Sequence, residues 1–171
     1  MTCLNAKWHL QLNQFNLKLV TTRQFKKNGV GELMDDMIIR DKVSADDDFI
    51  FDSFLNNYQA TSYFAKRIPK QVFMKRHSAI LNLIFARPNT VTKIAGDSSY
   101  TIFGYIIAED VTTDAVIHYI YVRPEYQRLG IATTLITELG IKDKFEVSHW
   151  TPVMNEISSK HKGITYVPYR M

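Results

Sequence analysis

The apolar residues of this chain change their spacing at Pro88, and that change limits the folds open to it. Ahead of Pro88, Phe51, Phe54, Leu55 and Tyr58 recur at intervals of three and four, the stripe of an amphipathic helix. Ser44 is placed to cap this helix at Ala45, with Asp46, Asp47 and Asp48 where the helix dipole favours negative charge. Pro69 suits the first turn of a second helix, whose buried side is Val72, Phe73, Ile80, Leu83 and Ile84. Beyond Pro88 the helical period is lost. Residues 90–95 alternate β-branched and polar side chains, and Gly96-Asp97-Ser98-Ser99 is a turn. Residues 100–108 and 115–122 are strands, the second apolar enough for the middle of a sheet. A helix over 131–139 and strands over 145–150 and 164–169 follow, and 37–40 supply a short first strand. The expected fold is α+β, a mixed sheet with helices on its faces.

At 171 residues the chain is sized for a single core, and 46% hydrophobic with 22% charged residues excludes disorder, collagen-like repeats and a disulfide scaffold. The single cysteine, Cys3, offers neither an internal disulfide nor a zinc cluster, so no metal is expected and a reducing cytoplasm suits it. No apolar run approaches the roughly 20 residues of a membrane span. Lys7, His9, Gln11, Asn13, Gln14 and Asn16 break up any signal-peptide core. The net charge of +4 belongs to residues 1–33, where five basic residues face only Glu32; from Met34 onward sixteen basic residues face sixteen acidic ones. A neutral body with a basic lead-in argues against nucleic-acid binding. Residues 1–33 read either as an amphipathic strand or arm, since Trp8, Leu10 and Leu12 alternate with polar residues, or as an extension outside the native protein. On the second reading Gly31-Glu32 codons spell a ribosome-binding sequence ahead of a start at Met34 or Met37, leaving 34–171 as the domain. A Trp8-containing peptide in mass spectra of the native protein would refute it.

One stretch carries chemistry: Ile120-Tyr121-Val122-Arg123-Pro124-Glu125-Tyr126-Gln127-Arg128-Leu129-Gly130-Ile131-Ala132. A strand runs through a small-residue loop into a helix. Pro124 ends the strand pairing, and Gly130 and Ala132 keep side-chain bulk away from the loop amides. The helix start leaves its first N–H groups unpaired at the positive end of the dipole, an anion site suited to phosphate oxygens. Arg128 adds charge, and Thr133 and Thr134 add hydroxyls.

This stretch resembles the acyl-CoA motif of the GCN5-related N-acetyltransferases (GNAT), Q/R-x-x-G-x-G/A, read here as Gln127 to Ala132. Upstream, Val122, Pro124, Glu125 and Tyr126 look like the V-x-P-E-Y that commonly precedes it. The resemblance implies a mostly antiparallel central sheet and acetyl-CoA as co-substrate. It implies that backbone groups of Tyr121 and Val122 hold the pantetheine arm and acetyl carbonyl. The amides of Gln127, Arg128, Leu129, Gly130, Ile131 and Ala132 would cradle the pyrophosphate, with Thr133 beside them. Asn155 matches an asparagine that often contacts the cofactor. The implied activity is acetyl transfer to a primary amine, whether a small amine, a protein N-terminus or a lysine. Dimerisation is common in the family, and compact size without targeting signals fits a bacterial or bacteriophage protein.

Acetyl transfer needs a base for the amine, a donor for the carbonyl oxygen and an acid for the thiolate. Family members often carry a Glu or His base on the fourth strand, which makes His118 the first candidate; period-two alternation puts it on one face with Ile120 and Val122, with Tyr119 and Tyr121 on the other. A histidine packed in the core is the competing reading. Glu109 is the second base candidate, read otherwise as a loop carboxylate in solvent. The family's usual acid, a tyrosine after the asparagine, has no counterpart between Glu156 and Ile164; His161 lies nearest, and Tyr166 and Tyr169 come later. The last helix is therefore expected to be short or absent. The missing acid supports an alternative, a catalytically weak or inactive GNAT-fold module acting through CoA or protein binding. Tyr63 and Phe64 join Phe51, Phe54 and Tyr58 as expected core, Lys75-Arg76-His77 reads as a solvated face, and Trp150 either borders the acceptor cleft or packs.

Overall fold

A computed structural model describes residues 37–98, 100–142, 144–159 and 162–171. The arm or extension over 1–33, the start at Met34 and Cys3 lie outside the described residues. Six strands, β1 (Ile38–Asp41), β2 (Thr90–Gly96), β3 (Ile102–Glu109), β4 (Val116–Val122), β5 (Lys144–Val147) and β6 (Gly163–Tyr166), form one sheet in chain order. β1 to β4 pair antiparallel, and β4–β5 and β5–β6 pair parallel. The helices are α1 (Asp47–Thr61), α2 (Lys70–Phe85), α3 (Ile131–Glu138) and α4 (Pro152–Ser158). The parallel pairs take the crossovers α3 and α4, as parallel strands must.

Alternation along β3 and β4 separates two cores. Tyr105, Ile107 and Tyr119 face α1 and α2, packing on Ile50, Phe54, Phe73 and Ile84; Ile106, Ala108, Ile120 and Val122 pack with Ile131, Leu135 and Met154 of α3 and α4. The sheet is thus covered on both sides, and β3 is buried over seven of its eight residues.

The side-chain assignments on the two long helices need correction. α2 buries Phe73, Leu81 and Ile84, whereas Val72 and Leu83 are 51% and 64% exposed. It lies against one layer only, so a narrow stripe suffices and the extra apolar residues face outward. His77 is half-buried, its ring stacked 4.0 Å from Phe73, while Lys75 and Arg76 are exposed. Tyr63 and Phe64 fall past the end of α1 and are exposed, so they are not core. Ser44 does not cap α1. It opens a 3-10 turn in which Asp46 is buried, accepts the Val43 N–H at 2.8 Å and binds both arms of Arg40 at 2.7 Å.

Candidate active site

β4 and β5 pair in register at Val116–Glu146 and Ile117–Val147, and Ser148 N–H still reaches the Ile117 carbonyl at 3.2 Å; β5 has by then ended while β4 runs five residues past Ile117. The wedge between them opens into a cleft of about 470 Å³, bounded by the far end of β4, the loop before α3, the first turns of α3 and α4, and Asn57 and Thr61 on α1. This volume lies in the range of small-molecule sites.

Pairing with β3 determines which β4 backbone groups face the wedge. Arg123 donates its N–H to Phe103 at 2.9 Å, so the opposed pairs Tyr121–Tyr105 and Tyr119–Ile107 are the hydrogen-bonded ones. Ile120 and Val122 consequently turn their N–H and C=O away from β3. The Val122 carbonyl accepts the Gln127 side-chain amide at 3.1 Å, and Tyr121 lends its half-buried side chain to the cleft wall.

The loop then climbs to α3. Pro124 to Tyr126 make a 3-10 turn that takes up the Gln127 N–H on the Pro124 carbonyl at 3.3 Å. Arg128 and Gly130 both have positive φ, 65° and 83°. A Cβ built on Gly130 would meet nothing within 4 Å, so glycine serves the backbone angle and leaves open space before the helix. Thr134 N–H makes the first helical bond, to the Gly130 carbonyl, and the amides of Ile131, Ala132 and Thr133 remain without helical partners. Arg128, Gly130, Ile131, Ala132 and Thr133 line the cleft, with Lys142 as a second cation. This donor set fits a diphosphate. Leu129 instead packs toward the core, and the Thr134 hydroxyl is turned back to Gly130 at 3.2 Å.

A family model, the acetyltransferase (GNAT) family, matches residues 49–140, from α1 to the end of α3. The chain belongs to the GNAT family. No curated protein matches the sequence. Among solved structures, a Pyrococcus furiosus protein described as an acetyl transferase is similar over 77% of this chain and 81% of its own, at 14% identity and a TM-score of 0.53, and shares the fold. A Staphylococcus aureus protein described as a GNAT family acetyltransferase covers 75% of this chain and 98% of its own at 16% identity, TM-score 0.48. A GNAT family acetyltransferase from Brucella melitensis, solved with acetyl-CoA, covers 60% and 64% at 19% identity, TM-score 0.45.

In this GNAT domain His118 is a surplus residue. Ile107 pairs with Tyr119 and Ala108 with Ile117, so His118 bulges from β4 with no partner on β3. The bulge breaks strict alternation: Ile117, Ile120 and Val122 share a face, and His118 leaves it for Glu109 and Ser148. Its ring is 1% exposed, with Nε2 2.9 Å from Glu109 and Nδ1 2.9 Å from Ser148 Oγ. Burial lowers its pKa despite the neighbouring carboxylate. Glu109 is the last residue of β3, not a solvent loop, and Arg87 binds it at 2.8 Å. Burial pushes the Glu109 pKa up, but bonds from Arg87 and His118 outweigh this and hold it low.

Asn155 sits on α4, exposed, its side-chain Oδ1 taken by the Trp150 indole N–H at 2.6 Å; neither residue lines the cleft. His161 lies outside the described residues. Sequence reasoning missed Asn57, Thr61, Lys142, Thr151 and Glu156 in the cleft wall, which come from three separate segments and carry no local motif. It also missed Ser148 and His149, expected within a regular strand; β5 stops at Val147 and the chain bends there. Among the described residues no helix is long and apolar enough to cross a membrane, and no group of three or more His, Cys, Asp or Glu is arranged for a metal.

Proposed function

We propose that the chain is an N-acetyltransferase moving an acetyl group from acetyl-CoA to a primary amine, on a small molecule, a protein N-terminus or a lysine. The observation that carries this reading is the wedge between β4 and β5, opening beside unpaired amides at the start of α3. Acetyl-CoA supplies the thioester. Arg128 and the amides of Gly130, Ile131 and Ala132 hold its diphosphate, with the Thr133 hydroxyl and Lys142 at the margin. The Val122 N–H stabilises the negative charge that develops on the carbonyl oxygen. Tyr121 and Tyr126 are the phenols in the cleft wall able to protonate the departing thiolate. His161 stays a candidate acid by sequence position alone. The acceptor must lose a proton before attack, and the His118–Glu109 pair is the proposed sink for it. The reading assigns no membrane partner, the neutral body argues against nucleic acid, and the setting is cytoplasmic.

Calorimetric titration with acetyl-CoA tests the binding half. Gly130→Glu fills the open space with a carboxylate and should weaken affinity at least tenfold; unchanged affinity refutes the loop assignment. Thiol release with a panel of amines tests the chemistry. Acetyl-CoA binding without release from any amine would favour a non-catalytic binding module. His118→Ala should lower turnover with little change in acetyl-CoA affinity, and an unaltered rate across pH would remove it from the proton path.

A further inference from the structure

The Glu109–His118 pair does not end at His118. Ser148 Oγ lies 2.9 Å from His118 Nδ1 and 2.9 Å from Nδ1 of His149, and all three side chains are buried. The direction of each bond follows from the ends. A carboxylate only accepts, so His118 donates from Nε2 and, being neutral, accepts at Nδ1. Ser148 must supply that proton, and its oxygen then accepts from His149 Nδ1–H. His149 is left as a neutral ring with a bare lone pair on Nε2, a buried nitrogen that meets no hydrogen-bond partner among the described residues. An uncompensated buried polar atom is costly, and its presence in a native site calls for an explanation.

We propose that Ser148 and His149 extend the Glu109–His118 pair into a one-way proton relay, with His149 Nε2 as its intake and Glu109 as its outlet. The intake is buried and does not itself line the cleft, but its ring packs on α1, the helix that gives Asn57 and Thr61 to the cleft wall. The His149 ring stands edge-on to Tyr58 (4.9 Å) and Phe54 (5.3 Å), which flank the cleft residue Asn57 on α1, and Thr151 of the cleft wall is two residues on. A proton taken up on His149 Nε2 releases the Nδ1 proton to Ser148, whose own proton passes to His118 Nδ1. The Nε2 proton of His118 then passes to Glu109. One proton enters and one leaves, no electrons move, and His118, Ser148 and His149 finish neutral with their donor directions reversed. Glu109 is 14% exposed beside Arg87, whose charge favours return of the proton to water.

This inference rests on the transferase reading for its source of protons, but its geometry is tested separately. Nitrogen NMR of the full chain at neutral pH should show His118 as the Nε2–H tautomer and His149 as the Nδ1–H tautomer. The opposite tautomer or a charged ring at either position overturns the relay, whatever the chain catalyses. In thiol-release kinetics, Ser148→Ala should lower kcat at least tenfold and shift its pH profile, with acetyl-CoA affinity and acceptor KM unchanged, and Ser148→Thr should restore both. The groups facing the relay are His77 of α2, Tyr58 of α1, Tyr119 of β4, and Arg87 and Arg170 around Glu109, so the profile is read against a Tyr58→Phe control. An unchanged kcat in Ser148→Ala, or a loss that Ser148→Thr fails to rescue, refutes proton passage through Ser148. Should the wild-type chain acetylate no amine, the transferase reading falls while the two tautomers still decide the relay.

Discussion

Arg40 and Asp46 show how much a single pair can organise. Their two parallel 2.7 Å bonds join β1 to the entry of α1, and Asp46 also satisfies the Val43 amide. Asp46→Asn removes the charge and one acceptor while leaving the guanidinium only 15% exposed; a loss of about 3 kcal/mol is expected by urea denaturation. Lys93 pairs with Asp41 at the surface, where Asp41 is 75% exposed, and Lys93→Met should cost less than about 1 kcal/mol in the same assay. At this scale legibility follows locality. Gly130 was readable because a positive φ is a property of one residue and its neighbours. The face of His118 was not, because its bulge exists only relative to β3, and no pattern within β4 announces it.

Elements were more legible than their inner faces. Four of the six strands and all three longer helices end near where their period and punctuation place them, while β5 and β6 each stop three residues short of the expected end. β5 was overestimated because Ser148 and His149 continue an alternating pattern but leave the sheet for the relay. The last helix, expected to be short or absent, is present and runs for only seven residues. Its start is capped by Thr151, whose hydroxyl accepts the Met154 amide at 3.4 Å; Thr151→Ala should lower stability by about 1 kcal/mol in thermal melts. The β3–β4 contact depends on Gly104, where an added Cβ would lie 2.5 Å from the Tyr121 carbonyl and 3.2 Å from Val122 Cα. Gly104→Ala must push the strands apart, at about 1–3 kcal/mol, and should weaken acetyl-CoA binding as well because Val122 moves with its strand.

For the molecule as a whole, three histidines share one tendency. Burial pushes His149 down to about 3, and lowers His118 and His77 as well. Between those values and the ordinary value near 6.5, the unfolded chain binds protons that the folded chain refuses. Stability should therefore be level above pH 6.5 and decline as pH falls below it, before the carboxylates titrate. Denaturation midpoints at pH 8, 6 and 5 measure this, and His149→Phe should flatten the slope. The layered architecture was readable from the order of helices and strands, whereas the cleft was not, since it lies where two strands cease to run together. The placement of His118 has one last consequence. Because the ladder closes without that residue, excising it should straighten β4 and leave the amides of Ile120 and Val122 aimed as before. A chain shortened by this single position would then report on the imidazole alone, keeping its grip on the nucleotide while losing its route for acid.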